Sequence, residues 1–312
     1  MDAEQIRDGV KNMQQGDKAA SKGLFRKPDW DLAASYYEPT NFKIAKSNDQ
    51  AVQAYIKASD ALSKADAIHL AGKALENAAF ILAQNLNQPQ RAAELYQRAS
   101  NYFMTQGNID RAAEQLEKAG RALENVDVNA SYDMYSKACA IYEQEDRGRF
   151  AVEIFKKAIS LLIRNKKYDK AIDMLKRQSV VLQKFTSRSH LYKANLSILV
   201  LIFAIGDDVE AGKQFSSMCG EEAEIAEDLL KAYEERDQEL LEKTVRLQHM
   251  SFLDNEVVKL ARLLTVPGEV LSSTTIYNMP HAQARAELYS HDLSNELKTK
   301  DYYSDEDEEG LR

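Results

Sequence analysis

Residues 92–119 read AAELYQRASNYFMTQGNIDRAAEQLEKA, and they hold one phrase twice: Ala92-Tyr96-Ala99, then Ala112-Leu116-Ala119. In each, a bulky apolar residue follows a small one by four positions, and a second small residue follows three later. Those spacings put all three on one face of a helix with ~3.6 residues per turn. Working outward, the phrase recurs upstream as Ala51-Tyr55-Ala58 and Ala71-Leu75-Ala78, and downstream as Ser131-Tyr135-Ala138, Ala151-Phe155-Ala158 and Ala171-Leu175-Gln178. Its starts step by 20, 21, 20, 19, 20 and 20 residues, the length of one helix and one turn.

Breakers separate the phrases: Asn87-Gln88-Pro89, Gln106-Gly107-Asn108, residues 125–128, Asp146-Arg147-Gly148 and Asn165-Lys166. Helices alternating with short breakers predict antiparallel hairpins, and a single hairpin of this kind cannot bury its own apolar stripe. Stacking resolves that. Two helices make a unit of about forty residues, longer than the ~34 of a standard tetratricopeptide repeat. The expected class is therefore all-α, with tetratricopeptide-like hairpins of extended helices; an irregular bundle would have no reason to keep so constant a step.

The chain has 312 residues, 44% hydrophobic and 29% charged, and contains no strand-like alternation of useful length. Its longest apolar stretch, residues 196–205, is about half of the ~20 a bilayer span requires. The N-terminus lacks a basic-then-apolar leader, so a soluble, cytoplasmic protein is expected. Cys139 and Cys219 lie in helical patterns and read as buried thiols; the sequons at Asn129 and Asn195 read as accidental.

Chemistry-bearing motifs are missing from the sequence. There is no glycine-rich nucleotide fingerprint, phosphate loop, His-Glu-x-x-His or Gly-x-Ser-x-Gly, and the five histidines are scattered. No catalytic residue, cofactor, metal or small-molecule substrate is expected. A pI near 5.4 gives no general basic field for nucleic acid.

Two segments stand apart from the repeats. After a helical start with Ile6, Val10 and Met13 in register, Gly23 and Pro28 bracket a loop that sets Leu24 and Phe25 among Lys22, Arg26 and Lys27. Two apolar side chains with three bases suit weak contact with an anionic bilayer, each base adding ~1 kcal/mol. The competing expectation is that Leu24 and Phe25 fold back beside Trp30. At the other end, six acids against one base follow residue 300, leaving −3 of the net −8 for the rest of the chain. Such a run stays disordered and suits docking on a basic partner, the competing expectation being a solvated end that aids solubility. Leu311 ends this leash as a lone apolar group.

The stretch Phe25-Arg26-Lys27-Pro28-Asp29-Trp30-Asp31-Leu32-Ala33-Ala34-Ser35-Tyr36-Tyr37, with Phe42-Lys43-Ile44-Ala45-Lys46, resembles the start of the soluble NSF attachment proteins, the SNAPs. Three further segments resemble the gamma form: Ala119-Gly120-Arg121-Ala122-Leu123-Glu124-Asn125-Val126-Asp127, residues 161–171, and residues 250–268 with Leu253-Asp254-Asn255 and Leu264-Thr265-Val266-Pro267-Gly268. The acidic ending with Gly310-Leu311-Arg312 is similar too. The resemblance covers about residues 1–268 and the last dozen, and is weakest over 269–300.

The resemblance implies a non-enzymatic adaptor. Its hairpins would form a twisted, curved solenoid sheet that lies along the four-helix SNARE complex, and a C-terminal helical bundle would meet NSF, the ATPase that disassembles spent SNARE complexes in vesicle trafficking. The corresponding divisions are a repeat sheet over 1–185, a bundle over 186–268 and a loosely ordered tail over 269–312, with a possible amphipathic helix at 281–298. By the same resemblance Leu24 and Phe25, with Lys22, Arg26 and Lys27, would touch the membrane. Leu311, beside Asp307, Glu308 and Glu309, would contact and stimulate the ATPase.

SNARE bundles are acidic outside, so an adaptor should face them with bases. Glu114 and Glu153 stand where the alpha form has lysines for this contact. Lys118 and Lys157, one turn further along, are the candidates to replace them, with Arg121, Lys156 and Arg164 nearby. Pro39 predicts an early stop or kink near Glu38. The competing functional class is a generic tetratricopeptide-like peptide-binding scaffold unrelated to NSF.

Overall fold

The repeated phrase occupies the same place in every helix that carries it. The structure, a computed structural model, describes residues 2–22, 27–39, 46–184, 188–216, 218 and 221–268. In order, its first helices are α1 (Asp2–Ala20), α2 (Trp30–Tyr36), α3 (Asn48–Lys64), α4 (Ile68–Gln84), α5 (Pro89–Thr105), α6 (Ile109–Leu123) and α7 (Val128–Gln144). A 3-10 turn, Gly148–Ala151, leads into α8 (Val152–Arg164), followed by α9 (Tyr168–Lys184) and α10 (Arg188–Ile205). From α3 to α9 each phrase begins three residues into its helix, or into the 3-10 turn for α8. Every phrase position is at most 8% exposed, so the pattern marks the buried seam of each helix.

The turns are as regular as the helices. A residue with positive φ sits two positions before α3, α4, α5, α6, the 3-10 turn and α9: Lys46, Asp66, Asn87, Gly107, Asp146 and Lys166. A left-handed residue just past a helix end lets the following N–H reach back and satisfy a terminal carbonyl. The backbone N–H groups of Ala67, Asn108, Arg147 and Lys167 do so, donating to Leu62, Phe103, Tyr142 and Leu162, five residues back, at 2.8, 2.9, 2.8 and 2.9 Å.

The two irregular steps have local causes. Before α5 the closing bond spans six residues, Gln88 N–H to Leu82 C=O at 2.8 Å, which adds a residue. Before α7 it spans four, Asp127 N–H to Leu123 C=O at 2.9 Å. Val126, a β-branched residue poorly suited to the left-handed region, stands there, and Asp127 instead caps α7 by accepting from Asn129 and Ala130 N–H.

Residues 2–205 contain one unit in which each helix from α3 to α10 packs on the next, as antiparallel hairpins with short turns must. Alternate helices are bridged by ion pairs, Asp17 of α1 to Lys57 of α3 at 2.7 Å and Asp60 of α3 to Arg98 of α5 at 3.2 Å. Odd and even helices thus form two layers. No strand occurs among the described residues. The first unit ends after Ile205. Packing explains it: α10, buried from Leu196 to Phe203, lies on α9 and completes the first unit.

The N-terminal loop is pinned at its base. Asp29 N–H donates to Ala19 C=O at 3.0 Å, joining the end of α1 to the start of α2. Trp30, Ala33, Tyr37 and Ala19 cluster with Ala58 and Ala61 of α3, and the Lys64 ammonium lies 4.2 Å from the Trp30 ring centre. The Tyr37 hydroxyl donates to Asp17 at 2.8 Å while its ring covers Gly16. Helix α2 ends at Tyr36, three residues before buried Pro39, in keeping with the stop expected there.

The second unit, as far as residue 268, holds α11 (Asp208–Ser216), α12 (Glu221–Glu235), α13 (Gln238–Val245), α14 (Gln248–Ser251) and α15 (Asn255–Ala261). Its core includes Ala226, Leu229, Leu241, Met250 and Val257. The end of the described chain is tied back by Val266 N–H donating to Gln238 Oε1 at 3.1 Å. No described helix is long and apolar enough to cross a membrane.

Candidate functional site

All five basic candidates from the sequence sit on two neighbouring members of the even layer, α6 and α8, and each is engaged by a glutamate. Lys118 of α6 reaches Glu76 of α4 at 2.6 Å and Glu114 of its own helix at 2.7 Å. Arg111 joins the same group, 2.6 Å from Glu76 and 2.8 Å from Glu114. One step along the layer, Glu117 takes Arg121 at 2.8 Å and Lys157 of α8 at 2.5 Å. Beyond it, Arg164 lies 3.6 Å from Glu124, which also accepts the Tyr135 hydroxyl. Lys156, the fifth candidate, pairs only within α8, with Glu153 at 2.8 Å.

Exposure divides these groups by depth. The side chains of Glu76, Glu117 and Glu124 are 15, 20 and 24% exposed, whereas those of Lys118, Lys157, Arg164 and Arg121 are 31, 39, 50 and 62%. The acids form a floor between adjacent even helices and the bases stand at the rim. Long lysine and arginine stems lie along the apolar surface and bring their heads to water. The even-layer surface also includes Leu70 and Phe80 of α4, both more than half exposed.

Both charge states of the Glu76–Lys118 pair are reinforced. Burial alone would raise the Glu76 carboxyl, but the Lys118 hydrogen bond and the charges of Lys118 and Arg111 overcome it and hold the group below its ordinary value. Burial would lower Lys118, yet Glu114 and Glu76 together push it upward. The depressed acid contributes stability above its unfolded pKa, lost as pH falls through the folded value; the raised base contributes below its own, lost as pH rises. The full contribution therefore spans from about pH 4.5 to 10.5, the unperturbed values of the two groups. The melting-temperature gap between the parent chain and Glu76→Gln, measured against pH, is expected to be widest in that window and to close below it.

The sequence reading did not find Glu76 and Arg111. A signal was present: opposite charges recur about two repeat steps apart, as in Glu76–Lys118, Glu117–Lys157 and Glu124–Arg164, at spacings of 42, 40 and 40 residues. Alternate helices in a layer bring such positions side by side. The odd layer follows the same rule, with Arg177 2.6 Å from Glu143 and Lys184 2.9 Å from Asp146.

Of the loop candidates, Lys22 and Lys27 are exposed. Leu24, Phe25 and Arg26 lie outside the described residues, as do Asp307, Glu308, Glu309, Leu311, the 281–298 segment and Cys219. Cys139 is fully buried in α7, and burial pushes its thiol up to about 12, away from reactive thiolate character. Among the described residues no group of histidine, cysteine and acidic side chains is arranged to hold a metal ion. The first sequon is structural: the Ser131 hydroxyl is buried and donates to Gly120 C=O at 2.7 Å.

Comparison with known proteins places this architecture. The sequence model of a family described as soluble NSF attachment protein, SNAP, matches residues 7–263. A gamma-soluble NSF attachment protein of Dictyostelium discoideum is 32% identical over 278 residues, spanning 86% of this chain and 85% of that protein. One from Arabidopsis thaliana is 30% identical over 267 residues, spanning 82% and 91%. An alpha-soluble NSF attachment protein of Vitis vinifera is 24% identical over 173 residues, or 52% of this chain and 59% of its own length.

Proposed function

Because the chain belongs to the soluble NSF attachment protein family, we propose that it is a non-enzymatic adaptor that binds assembled SNARE complexes and recruits and stimulates the NSF ATPase. The observation that carries this reading is the rim of Lys118, Arg121, Lys157 and Arg164 on α6 and α8, within a family match that runs through both units. A helical bundle with an acidic exterior is the partner such a rim complements, and charge of this kind sets orientation and encounter rate more than raw affinity.

In this scheme the N-terminal loop meets the membrane weakly through Leu24 and Phe25, aided by Lys22, Arg26 and Lys27, and the protein is cytoplasmic with peripheral membrane association. Its base at Ala19 and Asp29 gives the loop a fixed root. The acidic segment with Asp307, Glu308, Glu309 and Leu311 serves NSF. No catalytic chemistry is assigned to the chain itself.

The test is ATP-dependent disassembly of a purified SNARE complex by NSF, with this chain as the only adaptor, beside Leu311→Ala and beside Lys118→Glu combined with Lys157→Glu. The expected result is disassembly by the parent chain and a loss of tenfold or more in each variant at moderate salt. For the lysine variant the loss is expected in SNARE binding; for Leu311→Ala it is expected in ATPase stimulation with binding retained. Failure of the parent chain to recruit NSF at low salt would leave a helical-repeat peptide scaffold as the better reading.

A further inference from the structure

The rim bases of the even layer do not present free charge. Across α4, α6, α8 and the turn after α6, the five bases Arg111, Lys118, Arg121, Lys157 and Arg164 face the four acids Glu76, Glu114, Glu117 and Glu124, each base within 4 Å of at least one. These nine groups together therefore carry an excess of a single positive charge. Its most enclosed carboxylates, Glu76 and Glu117, each hold two bases, one or both from the next even helix.

A carboxylate arriving from a partner must compete with one already in place. Exchange of one partly buried ion pair for another is close to even, because desolvation offsets much of the new attraction. A partner gains only where it meets several rim bases together, in the spacing of neighbouring helices. A flexible polyanion, which must order itself to do so, gains little.

Resting on the adaptor reading, we propose that Glu76 and Glu117 attenuate the basic rim, so that it discriminates a rigid acidic helical bundle from acidic chains in general and releases it readily. The two acids act on specificity through the bases they hold. They also bridge α4 to α6 and α6 to α8, which gives them a structural part to be separated from the attenuating one.

The experiment compares the parent chain, Glu76→Gln with Glu117→Gln, and the exchanged pair Glu117→Lys with Lys157→Glu. Each full-length protein is measured for association with an assembled SNARE complex and with polyglutamate, from low to moderate salt, alongside its melting temperature. Neutralising the two acids is expected to raise the association rate with the SNARE complex about 5- to 20-fold at low salt, to steepen its salt dependence, and to make polyglutamate binding measurable. The exchanged pair keeps a bridge between α6 and α8 while setting the acid at the rim, and slower association than the parent is expected. Association unchanged or slowed in the double Gln variant at parental stability would overturn the proposal, and so would an exchanged pair that associates at the parental rate. The adaptor reading fails separately: if no variant associates with the SNARE complex while the double Gln variant gains polyglutamate, the attenuation stands and the assigned partner does not.

Discussion

Tyr135→Ala is expected to destabilise the repeat unit by about 3–5 kcal/mol, the range for emptying a large aromatic site in a packed core. Tyr135 is the central residue of the α7 phrase and is fully buried. Its ring lies against Gly120 of α6, where an added Cβ would stand 3.0 Å from two ring carbons. Its hydroxyl donates to Glu124 at 2.5 Å, so the same side chain reaches the floor of the even layer. Burial, then the Glu124 bond, keep the phenol protonated throughout the ordinary pH range. Tyr135→Phe separates the two contributions. It keeps the ring, loses a hydrogen bond to a charged acceptor, and should cost about 1–2 kcal/mol. Urea denaturation followed by far-ultraviolet circular dichroism measures both. Each hairpin contacts only its neighbours, so a split transition in Tyr135→Ala is an expected form of the same loss. A cost below about 1 kcal/mol for the alanine variant would mean that α6 and α7 close over the cavity.

Gly148→Ala is expected to cost about 1–3 kcal/mol although it adds one methyl group. Gly148 opens the 3-10 turn before α8 and is buried against α9. A Cβ there would fall 2.7 Å from Val181 Cγ1 and 3.1 Å from Cγ2. Val181 is 5% exposed, and a β-branched side chain on a helix has essentially one rotamer, so it has little room to turn away. The backbone of Gly148 is outside the left-handed region, which makes this a test of space alone. Val181→Ala should cost about 1–2 kcal/mol by itself. Combined with Gly148→Ala it should cost less than the sum by about 1 kcal/mol, because the second change removes the obstacle to the first. Simple additivity would show that another neighbour limits Gly148.

The two glycine contacts show where legibility in the sequence ends. Ala119, Tyr135 and Phe155 announced themselves by spacing, since a helix converts sequence distance into angle without help from any neighbour. The turns were legible for a related reason: Gly107, Asn87 and Asp146 favour the conformations that end a helix, and they fall between the phrases. Lys46, Lys166 and Val126 are residue types without that preference. Only the Gln88–Leu82 and Asp127–Leu123 bonds explain why the step is 21 residues before α5 and 19 before α7. Gly120 and Gly148 lie beside phrase positions, and nothing in the sequence says that an aromatic ring covers one and a valine the other.

The candidate surface divides in the same way. Lys118, Arg121, Lys157 and Arg164 were found from sequence; the pairs within one helix, such as Arg121 with Glu117, were within reach of it, because positions three or four apart must be neighbours, but were not drawn. Glu76 and the Glu117–Lys157 and Glu124–Arg164 pairs were missed. Taken alone, this sequence determined the all-α class, the length and buried seam of each repeat and the family to which the chain belongs, all of them properties of local periodicity and motif. Tertiary structure decided which acid meets which base, that α10 closes the first unit, and that the basic rim rests on a floor of glutamates. Those depend on the lateral offset between helices about forty residues apart, which packing sets and no local spacing records.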